Sequence, residues 1–425
     1  MEALIIIIFI IGYLAITLEH PLRIDKAVSA ILLGVVCWSV FALFSENHHH
    51  TEEQLTELLP EIMNILFFLL GAMTIVELID IHEGFGVITN FITTGNKRKL
   101  LFTTSILAFF LSAVLDNLTT AIVMASLLRK LIANKEDRLV FASMIVIAAN
   151  AGGAWSPIGD VTTTMLWIGN RISAFNIIED LFFPSLICLI VPLFFQMFLL
   201  KGSYEAREIK TTFKTIDFER NLILWLGIGC LVFVPIFKTI THLPPFMGMF
   251  LGVGIMWLAT ELLHRGKHHD EKHQFSTIHA LSRIDSASIL FFFGILAAVG
   301  CLGAIGVLEH AAIFLSNTVG NLDLIIFLIG ILSSVVDNVP LVAAVMKMYS
   351  LEQFSTDHTI WIFLAYCAGT GGSMLIIGSA AGVAIMGIEK IEFFWYVRKI
   401  SFLAFIGYVA GALTYLGILA LQGSI

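Results

Sequence analysis

Asp116 and Asn117 stand in the middle of LSAVLDNLTTAIVM, residues 111–124, and Asp337 and Asn338 repeat the pair in LSSVVDNVPLVAAVM, residues 332–346. An ionisable side chain in so apolar a stretch is expensive in hydrocarbon unless it binds something. After the first pair comes AANAGGAWSPIGDVTTT, which adds Asn150, Ser156, Asp160, Thr162 and Thr163. With Thr119 these residues offer carboxylate, carbonyl and hydroxyl oxygens, the ligands that hard cations prefer. Sodium or lithium fits the set, with Asp116, Asn117, Asp160 and Thr163 as its expected ligands. Removal from water favours the protonated form of a carboxylate, and a bound cation favours the ionised form. One aspartate can therefore hold either a proton or a metal ion, and competition between the two is the minimal chemistry of cation/proton exchange.

The second copy is leaner. In CAGTGGSMLIIGS, residues 367–379, Gly369 stands where the first copy has Asn150, and Ser379 where it has Asp160. Thr370, Ser373 and Ser379 are further candidate ligands. Glu77, with Asp80 and His82 nearby, is a candidate proton-entry group. Asp160 also reads as an N-cap for a half-helix from Val161, with Thr163 reciprocating. The histidine runs at 48–50 and 264–273 read as solvated loops, and the five well-separated cysteines as buried packing residues.

The elements that must position these residues are membrane helices. The chain has 425 residues, 58% hydrophobic and 13% charged, with mean hydropathy +0.92. Apolar runs near the roughly 20 residues of a bilayer span recur along it. Spanning helices are expected near 2–18, 27–45, 62–81, 139–168, 181–200, 220–237, 246–263, 286–306, 359–388 and 400–420. Residues 1–18 lack a basic start and a small-residue cleavage site, and read as an uncleaved first helix.

Loops 19–26, 82–99, 129–138, 201–220, 264–285 and 388–399 hold 21 of the 24 lysines and arginines. The positive-inside rule makes them cytoplasmic. The alternation then works only if 100–133 enters and leaves on one side, as a re-entrant hairpin with Asp116–Asn117 at its tip. The stretch 323–349, between acidic loops, is a second hairpin entering from outside. Both termini fall outside.

Three landmarks recur in order. From Gly71 to Asp116 is 45 residues and on to Gly152 is 36; from Gly294 to Asp337 is 43 and on to Gly371 is 34. With the inferred sidedness, the expected fold is all-α and polytopic. It has two inverted-topology repeats, each with a re-entrant hairpin and a discontinuous helix, an architecture of secondary transporters. The expected division is N-terminal helices in 1–60, a first repeat in 61–200, linking helices in 201–282 and a second repeat in 283–425. Glycines unwind the long helices around 152–159 and 369–378, and each tip is expected to meet the break that follows it in its own repeat.

SAVLDNLTTAIVM, AANAGGAWSPIGDVTTTMLW and SSVVDNVPLVAAV resemble the NhaD-type sodium/proton antiporters of the ion transporter superfamily, over roughly 60–400. The resemblance implies expulsion of sodium or lithium against protons, hence pH homeostasis, in a bacterial inner membrane. It assigns ion handling to Asp116, Asn117, Asn150, Asp160, Thr162, Thr163 and Asn338. Superfamily dimers favour a homodimer, and Gly248 and Gly252 add a weak helix-packing signal. No cofactor is implied; the ions are cargo.

Relatives in the superfamily carry dicarboxylates with sodium, or export anions, and their tips resemble Ser-Asn-Thr. Two tip aspartates repel an anion, and the apolar segments carry no arginine to clamp one. A sodium-coupled anion symporter or an anion exporter is thus the alternative. An ion channel or a receptor is a third reading, which the broken repeats oppose. No phosphate-binding loop of the Gly-x-x-x-x-Gly-Lys-Ser/Thr type occurs, no basic patch suits nucleic acid, and no nucleophile–base pair points to an enzyme.

Overall fold

The computed structural model describes residues 1–45, 48–91, 96–200, 202, 215–266 and 273–422. Among these the regular elements are helical, and nine helices are long and apolar enough to cross a bilayer. Large apolar side chains such as Ile7, Leu43, Phe183 and Phe198 are exposed on the outer surface, where hydrocarbon rather than water suits them. The chain is a multi-pass α-helical membrane protein.

Helices α1 (Glu2–Thr17), α2 (Lys26–Phe44) and α3 (His48–Ile81) open the chain. There follow α4 (Lys97–Leu115), α5 (Asn117–Leu131), α6 (Lys135–Ala154), α7 (Val161–Ile168) and α8 (Ala174–Leu199). The linking helices are α9 (Asp217–Thr241), α10 (Pro245–Leu263) and the short α11 (Thr277–Arg283). Then come α12 (Ser286–Ala304), α13 (Val307–Val319), α14 (Leu322–Leu332), α15 (Asn338–Met348), α16 (Thr359–Gly371), α17 (Ala380–Glu389) and α18 (Phe402–Leu421).

Several boundaries differ from the sequence reading. Helix α3 extends past the expected 62–81 because the polar turns from His48 onward continue it outward, through Pro60. The acidic stretch after Glu309 is not a loop. Helix α13 buries Leu308 and Ala312 and then bends by 114° into α14. The helix breaks begin later than the glycines suggest. Gly152 and Gly153 stay helical in α6, and Gly369 and Gly371 in α16. Their role is close approach: a Cβ at Gly152 would strike the Phe109 carbonyl of α4, and one at Gly371 the Gly330 carbonyl of α14. Small residues let membrane helices meet at backbone distance. The unwound segments are 155–160 and 372–379.

The same packing occurs twice. Helix α4 lies along α6, and α14 along α16. Ser112 Oγ donates to the Ala149 carbonyl at 2.6 Å, and Ser333 Oγ to the Ala368 carbonyl at 2.9 Å. Helix α5 packs on α17, and α15 on α7. Gly248 and Gly252 of α10 face Phe237 and Cys230 of α9, so that small-residue face is used inside the chain. All five cysteines are buried and unpaired as disulfides.

Charged contacts sort the two ends of the molecule. Lys97 at the start of α4 pairs with Asp137 at 2.6 Å. Arg129 at the end of α5 and Arg138 of α6 both pair with the buried Glu389, at 2.7 and 2.6 Å. Thus α4 starts and α5 finishes at one end, with Asp116 between them. At the other end lie the three basic residues outside the six loops. Lys238 Nζ donates to Asn170 Oδ1 at 3.2 Å, Arg171 Nη2 to the Met346 carbonyl at 2.9 Å, and Lys347 pairs with Glu61 at 2.6 Å.

Glu389 holds α5, α6 and α17 together, so Glu389→Gln leaves Arg138 short of its partner. Breaking such a pair from one side is expected to cost about 2–3 kcal/mol. It is read as a lower melting temperature of the detergent-purified protein.

Candidate functional site

Four helix N-termini meet at mid-molecule, and each is capped by a residue singled out above. Asp116 caps α5, accepting from Thr119 N and Thr119 Oγ1, both at 2.8 Å. Asp160 caps α7, Asp337 caps α15 and Ser379 caps α17. A helix N-terminus carries about half a positive charge. Here three of the four already face a fixed carboxylate, which offsets the attraction an anion would otherwise meet.

Asp116 also ends α4, with no intervening turn. Its φ of 82° and ψ of 161° lie in a region that is otherwise almost confined to glycine. The strain of roughly 1–3 kcal/mol is sustained by the packed arms on either side. It turns the carboxylate to the tip while the next residue starts the second arm.

Asp160 is the hub. Its Oδ1 accepts from Thr162 N at 2.8 Å, Thr162 Oγ1 at 2.7 Å and Asn338 Nδ2 at 3.4 Å. Its Oδ2 accepts from Asn117 Nδ2 at 2.5 Å. The same Asn117 amide donates to Asn150 Oδ1 at 3.1 Å, and Asn150 Nδ2 donates to Ser379 Oγ at 2.9 Å. One polar network therefore joins both tips and both unwound segments. Asn117 meets the unwound segment that follows it, at Asp160. The second tip, through Asn338, reaches the break of the first copy.

A cavity of about 70 Å³ lies on this network, lined by Asp116, Asn117, Thr119, Asp160, Thr164, Asp337 and Asn338, with Lys26 at its edge. It adjoins a larger one of about 510 Å³, which shares Lys26, Thr119, Ser288 and Ala380 and leads to Glu77, Asp80 and Arg283. Glu77 pairs with Arg283 at 2.7 Å, and Asp80 with the same arginine at 3.3 Å.

The other candidates stand one layer back. Asn150 and Thr162 are buried behind the lining and reach it through their bonds to Asn117 and Asp160. Thr163 Oγ1 donates to the Asp160 carbonyl at 2.9 Å. Ser156 Oγ donates to the Ala113 carbonyl at 2.6 Å, tying the break to the first arm. Ser379 joins through Asn150. Thr370 and Ser373 are not brought to the cavity: their hydroxyls donate to the carbonyls of Tyr366 and Thr370, at 2.6 and 2.7 Å. Of the histidines, 48–50 are exposed on α3, whereas His82 and His264 are buried with their Nε2 atoms 3.0 Å apart. His268 and His269 lie outside the described residues.

Sequence reasoning missed Lys26, whose Nζ is 3.3 Å from Asp337 Oδ2. In the sequence it stands out only as one of the two basic residues of loop 19–26. Its position carried a signal all the same: a cation in the first turn of a helix opposes the dipole and calls for an anion nearby. Arg283 was missed as the partner of Glu77.

Unwound helices that bring capped ends to a charged cavity inside a multi-pass protein are the build of an ion transporter. Comparison with known proteins supplies the family. A protein-family model described as CitMHS, citrate transporter, matches residues 3–362. Sodium/proton antiporter 2 of Arabidopsis thaliana is 46% identical, over 97% of this chain and 98% of its own. Sodium/proton antiporter 1 of the same plant is 46% identical, over 97% and 72%. The Na(+)/H(+) antiporter NhaD of Alkalimonas amylolytica is 30% identical, over 97% and 89%. The chain belongs to the NhaD-type sodium/proton antiporter family, within the broader group that the citrate-transporter model describes.

Proposed function

We propose that this protein exchanges sodium or lithium for protons, with the aspartates of the network holding cation and proton in turn. The observation that carries the reading is the charge at the cavity. Three carboxylates, Asp116, Asp160 and Asp337, each cap a helix N-terminus, and a single ammonium faces them among the lining residues. Such a site attracts a cation and repels a dicarboxylate. The printed names of the plant and bacterial relatives agree.

In this account Asp116, Asn117 and Asp160 contact the ion, and Thr163 supports it through the Asp160 carbonyl. Thr119, Asn150, Ser156, Thr162, Asp337 and Asn338 hold the ligands in place or take the proton. Residues 61–200 and 283–425 form two inverted repeats whose hairpins are re-entrant; the paired α4–α6 and α14–α16 packing supports this. The larger cavity opens at the end that carries the basic loops, which the positive-inside rule makes cytoplasmic. Glu77 and Asp80 then line the cytoplasmic entry, both termini lie outside, and the protein works as a homodimer in a proton-gradient-bearing membrane such as the bacterial inner membrane.

The test is exchange in everted vesicles from cells without their own antiporters, with an acid-inside gradient followed by a pH dye. Sodium or lithium is expected to dissipate the gradient, and citrate or succinate to leave it intact. Silence to every cation, with uptake of the anion in a sodium gradient, would overturn the reading in favour of sodium-coupled anion symport.

A further inference from the structure

The two tip carboxylates are compensated in different ways. Asp116 accepts from neutral donors, Thr119 N and Oγ1 at 2.8 Å and the backbone N–H of Leu118. Asp337 receives Val339 N at 3.2 Å and the ammonium of Lys26 at 3.3 Å. Lys26 opens α2, which belongs to neither of the repeated segments. Its Nζ also sits 4.4 Å from the centroid of the Phe291 ring of α12. Helix α2 is locked to α12 along its length, with Gly34 against the Gly294 carbonyl and Gly294 against the backbone of Ala30. The ammonium is thus held at the cavity by the most extensive helix pair among the described residues. It keeps 23% exposure against 17% for Asp337, and its four-carbon stem lets the ammonium swing.

We propose that Lys26 is a tethered competitor of the transported cation. It rests on Asp337 when no cation occupies the cavity and yields when one arrives, and so lowers the affinity for sodium. A fixed positive charge among three carboxylates subtracts from the field that attracts a second cation. Its swing away from Asp337 when a cation arrives removes that charge from the cavity and leaves the carboxylates to bind. A competitor of this kind prevents overly tight binding, and release becomes easier. The proposal rests on the antiport reading above.

The experiment compares Lys26→Gln and Lys26→Arg with wild type, at one alkaline pH, in the vesicle assay and in sodium-dependent thermal stabilisation of the purified protein. Lys26→Gln is expected to lower the sodium KM about fivefold, the scale of a partly exposed ion pair, and to reach half-stabilisation at correspondingly less sodium. Lys26→Arg, which keeps the charge, is expected to stay within about twofold of wild type. An unchanged or raised KM in Lys26→Gln would overturn the proposal, since loss of a mere anchor loosens the site. An equal shift in Lys26→Arg would also overturn it. If Lys26→Gln is not recovered from membranes, Asp337→Asn is compared with the double variant Lys26→Gln/Asp337→Asn. Tighter sodium binding in the double supports the proposal; equal or weaker binding overturns it. Wild type with no sodium response in either assay would sink the antiport reading itself. A normal wild type with an unmoved Lys26→Gln would sink only this inference.

Discussion

Asp160→Asn is expected to lower sodium-driven proton exchange at least about a hundredfold, with the protein still inserted at its normal level. Two effects combine. The variant removes a negative charge from the cavity, and it turns one acceptor into a donor. Oδ1 faces three donors and Oδ2 faces the Asn117 amide at 2.5 Å. Whichever way an asparagine amide turns, its NH2 meets a donor from a neighbour. The orientation that keeps the oxygen toward Thr162 preserves the cap of α7, since Asn caps as well as Asp. Helix α7 therefore survives while the Asn117 contact is lost. Membrane abundance by immunoblot and exchange in vesicles separate the two consequences. Exchange within a few-fold of wild type would remove Asp160 from the site.

Gly152→Ala is expected to destabilise the protein by about 3 kcal/mol, through overpacking against backbone rather than any change at the cavity. Its Cβ would collide with the carbonyl, carbon and Cα of Phe109. Phe109 has nowhere to retreat: its ring stacks on Trp155 at 5.8 Å and meets Phe182 edge-on at 6.2 Å. Helix α4 must move away from α6, and Ser112 then loses the Ala149 carbonyl. A melting curve of the purified protein reads the effect. Gly229→Ala is its control, because nothing lies within 4 Å of a Cβ there. Equal melting of the two variants would mean that α4 does not touch α6 at this point.

The two Asp-Asn pairs stood out in the sequence because Asp and Asn are rare in hydrocarbon, and the recurrence of the pair raises the signal above chance. The breaks were legible as regions but not in register. Glycine has two uses in membrane helices, unwinding and close contact, and at Gly152 and Gly371 contact wins because the neighbouring arm occupies the space of a side chain. Partners far apart in the sequence were out of reach. Nothing in the spacing of Asn150 and Ser379, or of Asp160 and Asn338, says that they meet. Those bonds follow from how α5 crosses to α17 and α15 to α7. Helix α13 was lost among the polar residues of an apparent loop. Lys26 was absorbed into a charge count that treated every basic residue alike.

On the antiport reading, one carboxylate network holds either protons or a sodium ion. The most direct test adds sodium to the purified protein in weakly buffered detergent solution and follows free protons with a pH dye. Wild type is expected to release protons as sodium binds, with release nearly abolished in Asp160→Asn. Sodium that stabilises the wild-type protein without releasing protons would contradict the account, because cation and proton would then occupy separate sites.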